Sequence, residues 1–158
     1  MQRRDKDPLE PAQARDAALR LLGRREHSAR ELKSKLRARG VEGEAAGEIV
    51  DGLAESGWQS DERYAEMLVR SRVNQGHGPQ RIEAEMRVAG IGAEAIRAAM
   101  DAAEVDWDEV IQRVWQRHFR KPAADAQERQ KQYRYLMGKG FDSATISKLL
   151  KHENEGDE

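Results

Sequence analysis

The chain has 158 residues, of which 36% are charged, 38% hydrophobic and 5% aromatic, with a formal net charge of −1 and no cysteine. So little aromatic mass excludes a thick sandwich or barrel core, and the near-neutral balance confines any affinity for polyanions to local patches. The missing thiol excludes disulfides, thiolate zinc sites and a cysteine nucleophile together, and it fits a reducing cytoplasm.

Residues 1–11 mix three basic and three acidic residues with two prolines, and are expected to form a mobile N-terminal arm. No apolar signal core is present there, and no run approaches membrane-spanning length. A first helical repeat covers 12–58. Ala18, Leu19, Leu21 and Leu22 mark its first helix, and Ser28 with Glu31 has the spacing of a capping box for the second. Leu32 and Leu36 form the buried stripe of that helix, and Gly40 ends it. Ile49, Val50 and Leu53 carry a third helix that Gly57 and Trp58 turn away.

The second repeat covers 59–106. Ser60 or Asp61 opens a helix on which Tyr64, Met67 and Leu68 stand at i, i+3 and i+4. Gly76 through Pro79 stops it, and Gly78–Pro79 starts the next, where proline is tolerated. Ile82 and Met86 are its stripe, Gly90 its left-handed cap, and Ile96, Ala99 and Met100 lie on the last helix of the repeat. The third repeat covers 107–152, with Val110, Val114 and Trp115 on its first helix and Pro122 blocking continuation. Asp125 with Glu128 repeats the capping pattern, and Asp142–Ser143 opens a short helix through Leu149 and Leu150. Residues 153–158 form an acidic tail expected to fray.

These boundaries rest on a period. Gly40–Val41, Gly90–Ile91 and Gly140–Phe141 recur every fifty residues, with Leu36, Met86 and Leu136 four before and Val50, Met100 and Leu150 ten after. The fold class that follows is all-α: three tandem three-helix repeats stacked into an elongated array that can curve. The third repeat diverges most, with polar Gln132 where the others have Leu32 and Ile82.

No enzyme motif is legible. The histidines His27, His77, His118 and His152 never pair at i, i+4, so no metal or other cofactor is expected, and His118 beside Phe119 reads as a satisfied, partly buried imidazole. Gly76-His77-Gly78 lacks the strand and GK[ST] of a phosphate loop. Trp107, Trp115 and Phe119 could stack bases, but their helical spacing reads as core. Charge placement carries more. Arg20 to Arg39 holds eight basic residues against two acids, and so does Arg113 to Lys139. Arg30, Lys33 and Arg37 form one stripe at 100° per residue, and Arg113, Arg117 and Arg120 another. Arg24, Arg25, Arg70, Arg72, Arg81 and Lys121 complete the candidate contact set for an anionic partner, with solvated faces as the bland alternative.

Ser60-Asp61-x-Arg63-Tyr64-Ala65, Gly78-Pro79-x-Arg81-Ile82, Gly90-Ile91 and Arg25-x-His27-Ser28-x-x-Glu31-Leu32 together resemble the RecX family, bacterial regulators of the RecA recombinase. The resemblance covers roughly residues 12–151 and extends to the three-unit layout. It implies a cytoplasmic, monomeric, non-catalytic modulator that binds the RecA nucleoprotein filament, lies in its groove and suppresses recombinase, ATPase and coprotease functions in DNA repair and recombination. Two other readings of the charges stay open: a sequence-tolerant protein that binds single- or double-stranded DNA directly, and a helical scaffold without nucleic-acid contact.

Overall fold

Five helices begin where an oxygen-bearing side chain accepts the orphan amides of a first turn. Ser28 Oγ takes the Glu31 amide at 3.1 Å and Ser60 Oγ the Arg63 amide at 3.2 Å. Asp106 takes the amides of Asp108 and Glu109, Asp125 that of Glu128 at 2.8 Å, and Asp142 that of Thr145 at 2.7 Å. Two further helices start on proline, Pro11 and Pro79. In the computed structural model, which describes residues 7–155, the helices are α1 (Pro11–Arg24), α2 (Ala29–Ala38), α3 (Gly43–Glu55), α4 (Asp61–Asn74), α5 (Pro79–Val88), α6 (Ala93–Ala103), α7 (Trp107–His118), α8 (Ala126–Gly138) and α9 (Ser143–Glu155). No strand occurs among the described residues.

The fifty-residue signature is a helix terminator. Gly40, Gly90 and Gly140 have φ of 86°, 87° and 101°, which lets the next amide turn back. Val41, Ile91 and Phe141 accordingly donate to the carbonyls of Leu36, Met86 and Leu136, at 3.1, 3.0 and 3.3 Å. This is the six-to-one bond of a Schellman motif, and the apolar residue after glycine packs on the one before it. All six apolar residues are buried.

Three cores result, one per unit. Leu32, Leu36, Val50 and Leu53 centre the first, Leu68, Val69, Ile82 and Met86 the second, and Ile111, Leu136, Phe141 and Ile146 the third. Fully burying each such side chain contributes roughly 1.5–3 kcal/mol. The helices of a unit pack on one another far more than on those of the next unit. The accessible surface is 10887 Å², against about 8,000 Å² for a compact monomer of this mass, as expected of units arranged in series.

Several expectations need correction. The arm of residues 1–11 gives way early: α1 starts at Pro11, the Leu9 amide reaches the Arg39 carbonyl at 3.4 Å, and Pro8 lies against Gly40; residues 1–6 lie outside the described residues. The last helix is longer than expected and carries the start of the acidic tail through Glu155, with residues 156–158 outside the described residues. Ser28 caps α2, but Glu31 does not return to the cap amide; Arg25 draws its carboxylate away at 2.8 Å. Glu128 likewise accepts from Ala124, not from the cap. The period also breaks at the starts of two helices, α7 and α8, and α8 begins forty-seven residues after α5. α1 and α4 start fifty residues apart, but α7 starts at Trp107, forty-six after α4. Gln132 is buried as its position requires, and its amide is satisfied: it accepts the Trp115 indole N–H at 3.0 Å and donates to the Lys121 carbonyl at 3.2 Å.

Candidate interaction surface

The surface is shaped by two joints between units, and they are built differently. At the first, α2 meets the start of α4 through side chains. Asp61 Oδ1 accepts the Ala29 amide and the Gln59 side-chain amide, both at 2.9 Å, and Gln59 also donates to the His27 carbonyl at 3.3 Å. Arg63 bridges to Glu26 at 2.9 Å and to the carbonyls of Gly57 and Trp58. Further along, the Arg30 side chain lies across Gly90, where a Cβ would stand 2.8 Å from Arg30 Nε.

At the second joint, backbone meets backbone. Gly78 and Gln80, at the amide end of α5, donate to the carbonyls of Lys139 and Gly140 at 2.7 and 3.0 Å, at the carbonyl end of α8. The two helix dipoles thus meet with opposite partial charges. A Cβ on Gly78 would overlap the Gly140 carbonyl, so this approach is open only to glycine. Val73, Val105 and Trp107 pack against both the second and the third core. Arg113 donates across the joint to the Val73 carbonyl at 3.0 Å.

A histidine sits at each joint, fifty residues apart. His27 is 2% exposed. Its Nδ1 faces the Arg25 carbonyl at 3.0 Å and so carries the proton, which leaves Nε2 to accept from Lys35 Nζ at 3.5 Å. Burial, then the Arg25 and Lys35 charges, push its pKa down, although the Arg25 carbonyl pulls the other way. His77 is depressed by burial and by Arg81, Lys139 and Arg72, and its Nδ1 is buried without a partner. Around Tyr64, burial works against the Glu31 charge, but Arg25 and the Tyr64 hydroxyl outweigh it and hold the carboxyl below the usual range. Burial and Glu31 in turn push the Tyr64 phenol up.

The candidate cations divide accordingly. Arg25 pairs with Glu31, and Arg72 grips Glu85 with one guanidinium edge, Nη2 at 2.6 Å and Nε at 2.9 Å, which lowers the Glu85 pKa. Arg30 and Arg113 lean on the neighbouring unit. Arg24, Lys33, Arg37, Arg70, Arg81, Arg117, Arg120 and Lys121 make no ion pair among the described residues, and all but half-buried Lys33 are exposed. The stripe Arg113–Arg117–Arg120 is not a single face, because α7 ends at His118 and Arg120 takes φ 65°, off the helical register. His118 is exposed, not partly buried, since it lies on the last turn of α7 where the core has ended.

Other residues join this surface. A groove of about 670 Å³ beside the first joint is rimmed by Arg30, Arg87 and Arg97, with Glu83 and Asp101 among them, over Ile91, Ile96 and Met100. Arg87 repeats Arg37 at fifty residues, which was the available signal. Residues 107–152 carry ten lysines and arginines against five carboxylates, whereas 59–106 carry six against nine. The third unit is therefore the positive end, and its cations Lys131 and Lys139 belong to the surface as well. No cluster of histidine and carboxylate ligands for a metal occurs among the described residues, and no described helix is long and apolar enough to cross a membrane.

Three family models match in sequence: RecX, first three-helix domain, over residues 14–53; RecX, second three-helix domain, over 60–100; and RecX, third three-helix domain, over 104–150. The chain is 45% identical over 137 residues to a regulatory protein RecX of Stenotrophomonas maltophilia, covering 86% of this chain and 84% of that one. A regulatory protein RecX of Chromohalobacter salexigens is 38% identical over 141 residues, covering 89% and 93%. Among solved structures, RecX from Lactobacillus salivarius superposes with a TM-score of 0.72 at 21% identity, over 92% of this chain and 97% of that one. A second, a regulatory protein RecX, reaches 0.77 at 25% identity over 90% and 73%.

Proposed function

Because this chain belongs to the RecX family, we propose that it modulates the RecA recombinase, chiefly as an inhibitor acting in DNA repair and recombination. It binds the RecA–DNA filament in the cytoplasm as a monomer and suppresses recombinase, ATPase and coprotease activity without chemistry of its own. The observation that supports this reading is the spread of exposed cations free of ion pairs over all three units, from Arg24 and Arg37 through Arg70 and Arg81 to Arg117 and Lys121. A small anionic ligand would need one cluster. Cations distributed along units in series suit a long acidic surface, and their attraction is weakened by salt.

Strand exchange by RecA, titrated with this protein, tests the proposal. The wild type inhibits, and inhibition weakens as salt rises. Arg37→Glu, Arg81→Glu and Arg117→Glu together abolish inhibition while the melting temperature stays close to wild type, since exposed substitutions shift stability by about 0.5 kcal/mol or less each. A wild-type protein that leaves strand exchange untouched at low salt defeats the reading.

A further inference from the structure

The third unit carries an aromatic stack that ends in an open face. The rings of His118 and Tyr135 lie 3.8 Å apart and 7° from parallel, and Phe119 meets both edge-on at 4.6 and 5.2 Å. On the Tyr135 ring Lys139 Nζ stands 5.9 Å from the centroid. Tyr135 is half-buried and Phe119 packs against the third core, but His118, at the end of α7, is exposed. Tyr135 covers one imidazole face and Phe119 takes an edge, so the other face is left for one more layer.

The surroundings select what that layer is. Lys131 and Tyr135 on α8 and Lys139 at its C-cap stand at i, i+4 and i+8, the two lysines about 12 Å apart along the helix axis with the stack between them. Beyond Lys139 the line crosses the second joint to Arg81, whose backbone lies on Gly140; His77 feels the charges of both Arg81 and Lys139. Of the acids along this line, Glu85 is held by Arg72 and Glu128, beside Lys131, accepts the Ala124 amide. A planar face flanked by cations fits a base with its neighbouring phosphates better than the aromatic side chain of a protein, which brings no anion.

We propose that His118 and Tyr135 form a stacking platform for an unpaired base of a single-stranded nucleic acid, with Lys131, Lys139 and Arg81 meeting the phosphates on either side. In a duplex the base faces are already stacked, so the platform distinguishes single strand from duplex, and the lysines do not. The proposal goes beyond the reading above, since it needs no recombinase, and either can fail alone.

Fluorescence anisotropy of a labelled 20-residue oligothymidylate and of a 20-base-pair duplex tests it, with circular dichroism melting as the folding control. His118→Ala, an exposed change, weakens single-strand binding by about tenfold, within the range for losing one base stack, and leaves duplex binding within about twofold. His118→Trp restores or tightens single-strand binding. Lys131→Ala weakens both ligands and lowers the single-strand salt slope by about 0.7. Wild-type protein that prefers the duplex, or fails to bind the oligothymidylate at low salt, overturns the proposal. So does a folded His118→Ala that binds both ligands as the wild type does.

Discussion

The two joints between units solve one packing problem in two ways. Between the first and second units, polar side chains carry the connection: half-buried Asp61, buried Gln59 and the exposed Arg63–Glu26 pair. Between the second and third units, the ends of α5 and α8 meet by main-chain hydrogen bonds, and Val73, Val105 and Trp107 serve two cores at once. Side-chain bridges depend on protonation, salt and rotamer freedom; main-chain bonds sealed by apolar side chains do not. The second and third units therefore behave as one body, and the first is joined to them by the softer contact.

The sharpest way to break this contrast is at Gly78. Alanine there would overlap the Gly140 carbonyl, with backbone on both sides and nothing able to rotate away. Gly78→Ala is expected to cost about 3 kcal/mol, at the upper end for overpacking, and to uncouple the third unit in a melt followed by Trp115 fluorescence. A cooperative, unshifted transition would show that the joint tolerates separation. The matching change at the first joint is smaller. Asp61→Ala leaves the Ala29 amide without an acceptor and Gln59 with only the His27 carbonyl, at about 1–3 kcal/mol, and should release α2 amides to hydrogen exchange without altering α8.

Acid should separate the joints from the cores. His27 and His77 both have folded pKa values below 6.5, so the unfolded chain binds protons that the folded chain refuses. Their stabilising contribution is fully present above pH 6.5 and is lost as pH falls through the folded values. Calorimetry between pH 7.5 and 5.5 should find the melting temperature falling, with His27→Gln flattening part of the slope; a flat wild-type profile would contradict the neutral-imidazole assignment. The smallest effect belongs to Arg63, whose ion pair is largely exposed. Arg63→Ala should cost about 0.5–1 kcal/mol and lose most of that difference in 1 M salt.

Much of this was legible from the residues. The glycine at each fifty-residue step and its apolar follower give the α2, α5 and α8 ends, because a Schellman cap is a local event written in consecutive residues. Gly78 was visible as a helix break, but its reason was not, since its constraint is a carbonyl sixty-two residues away in sequence. Asp61 could be read only as a cap for its own helix; Ser60 does that, and Asp61 caps α2 of the preceding unit. The end of α7 at His118, with the left-handed turn at Arg120, took Arg120 off its expected stripe. The pairing of His27 with His77 stood at the fifty-residue spacing all along, and the period is its signal. For His118 and Tyr135, on different helices, the sequence carries no pattern that brings the rings together.

Native-state hydrogen exchange at three amides tests the contrast most directly. Gly78 and Gln80, which donate to α8, should exchange as slowly as the core amides of α5 and α8, independently of salt. Ala29, held by the Asp61 carboxylate, should open at distinctly lower free energy. If Ala29 is as protected as Gln80, or if Gly78 and Gln80 exchange freely while the cores stay closed, the two joints are not different in kind.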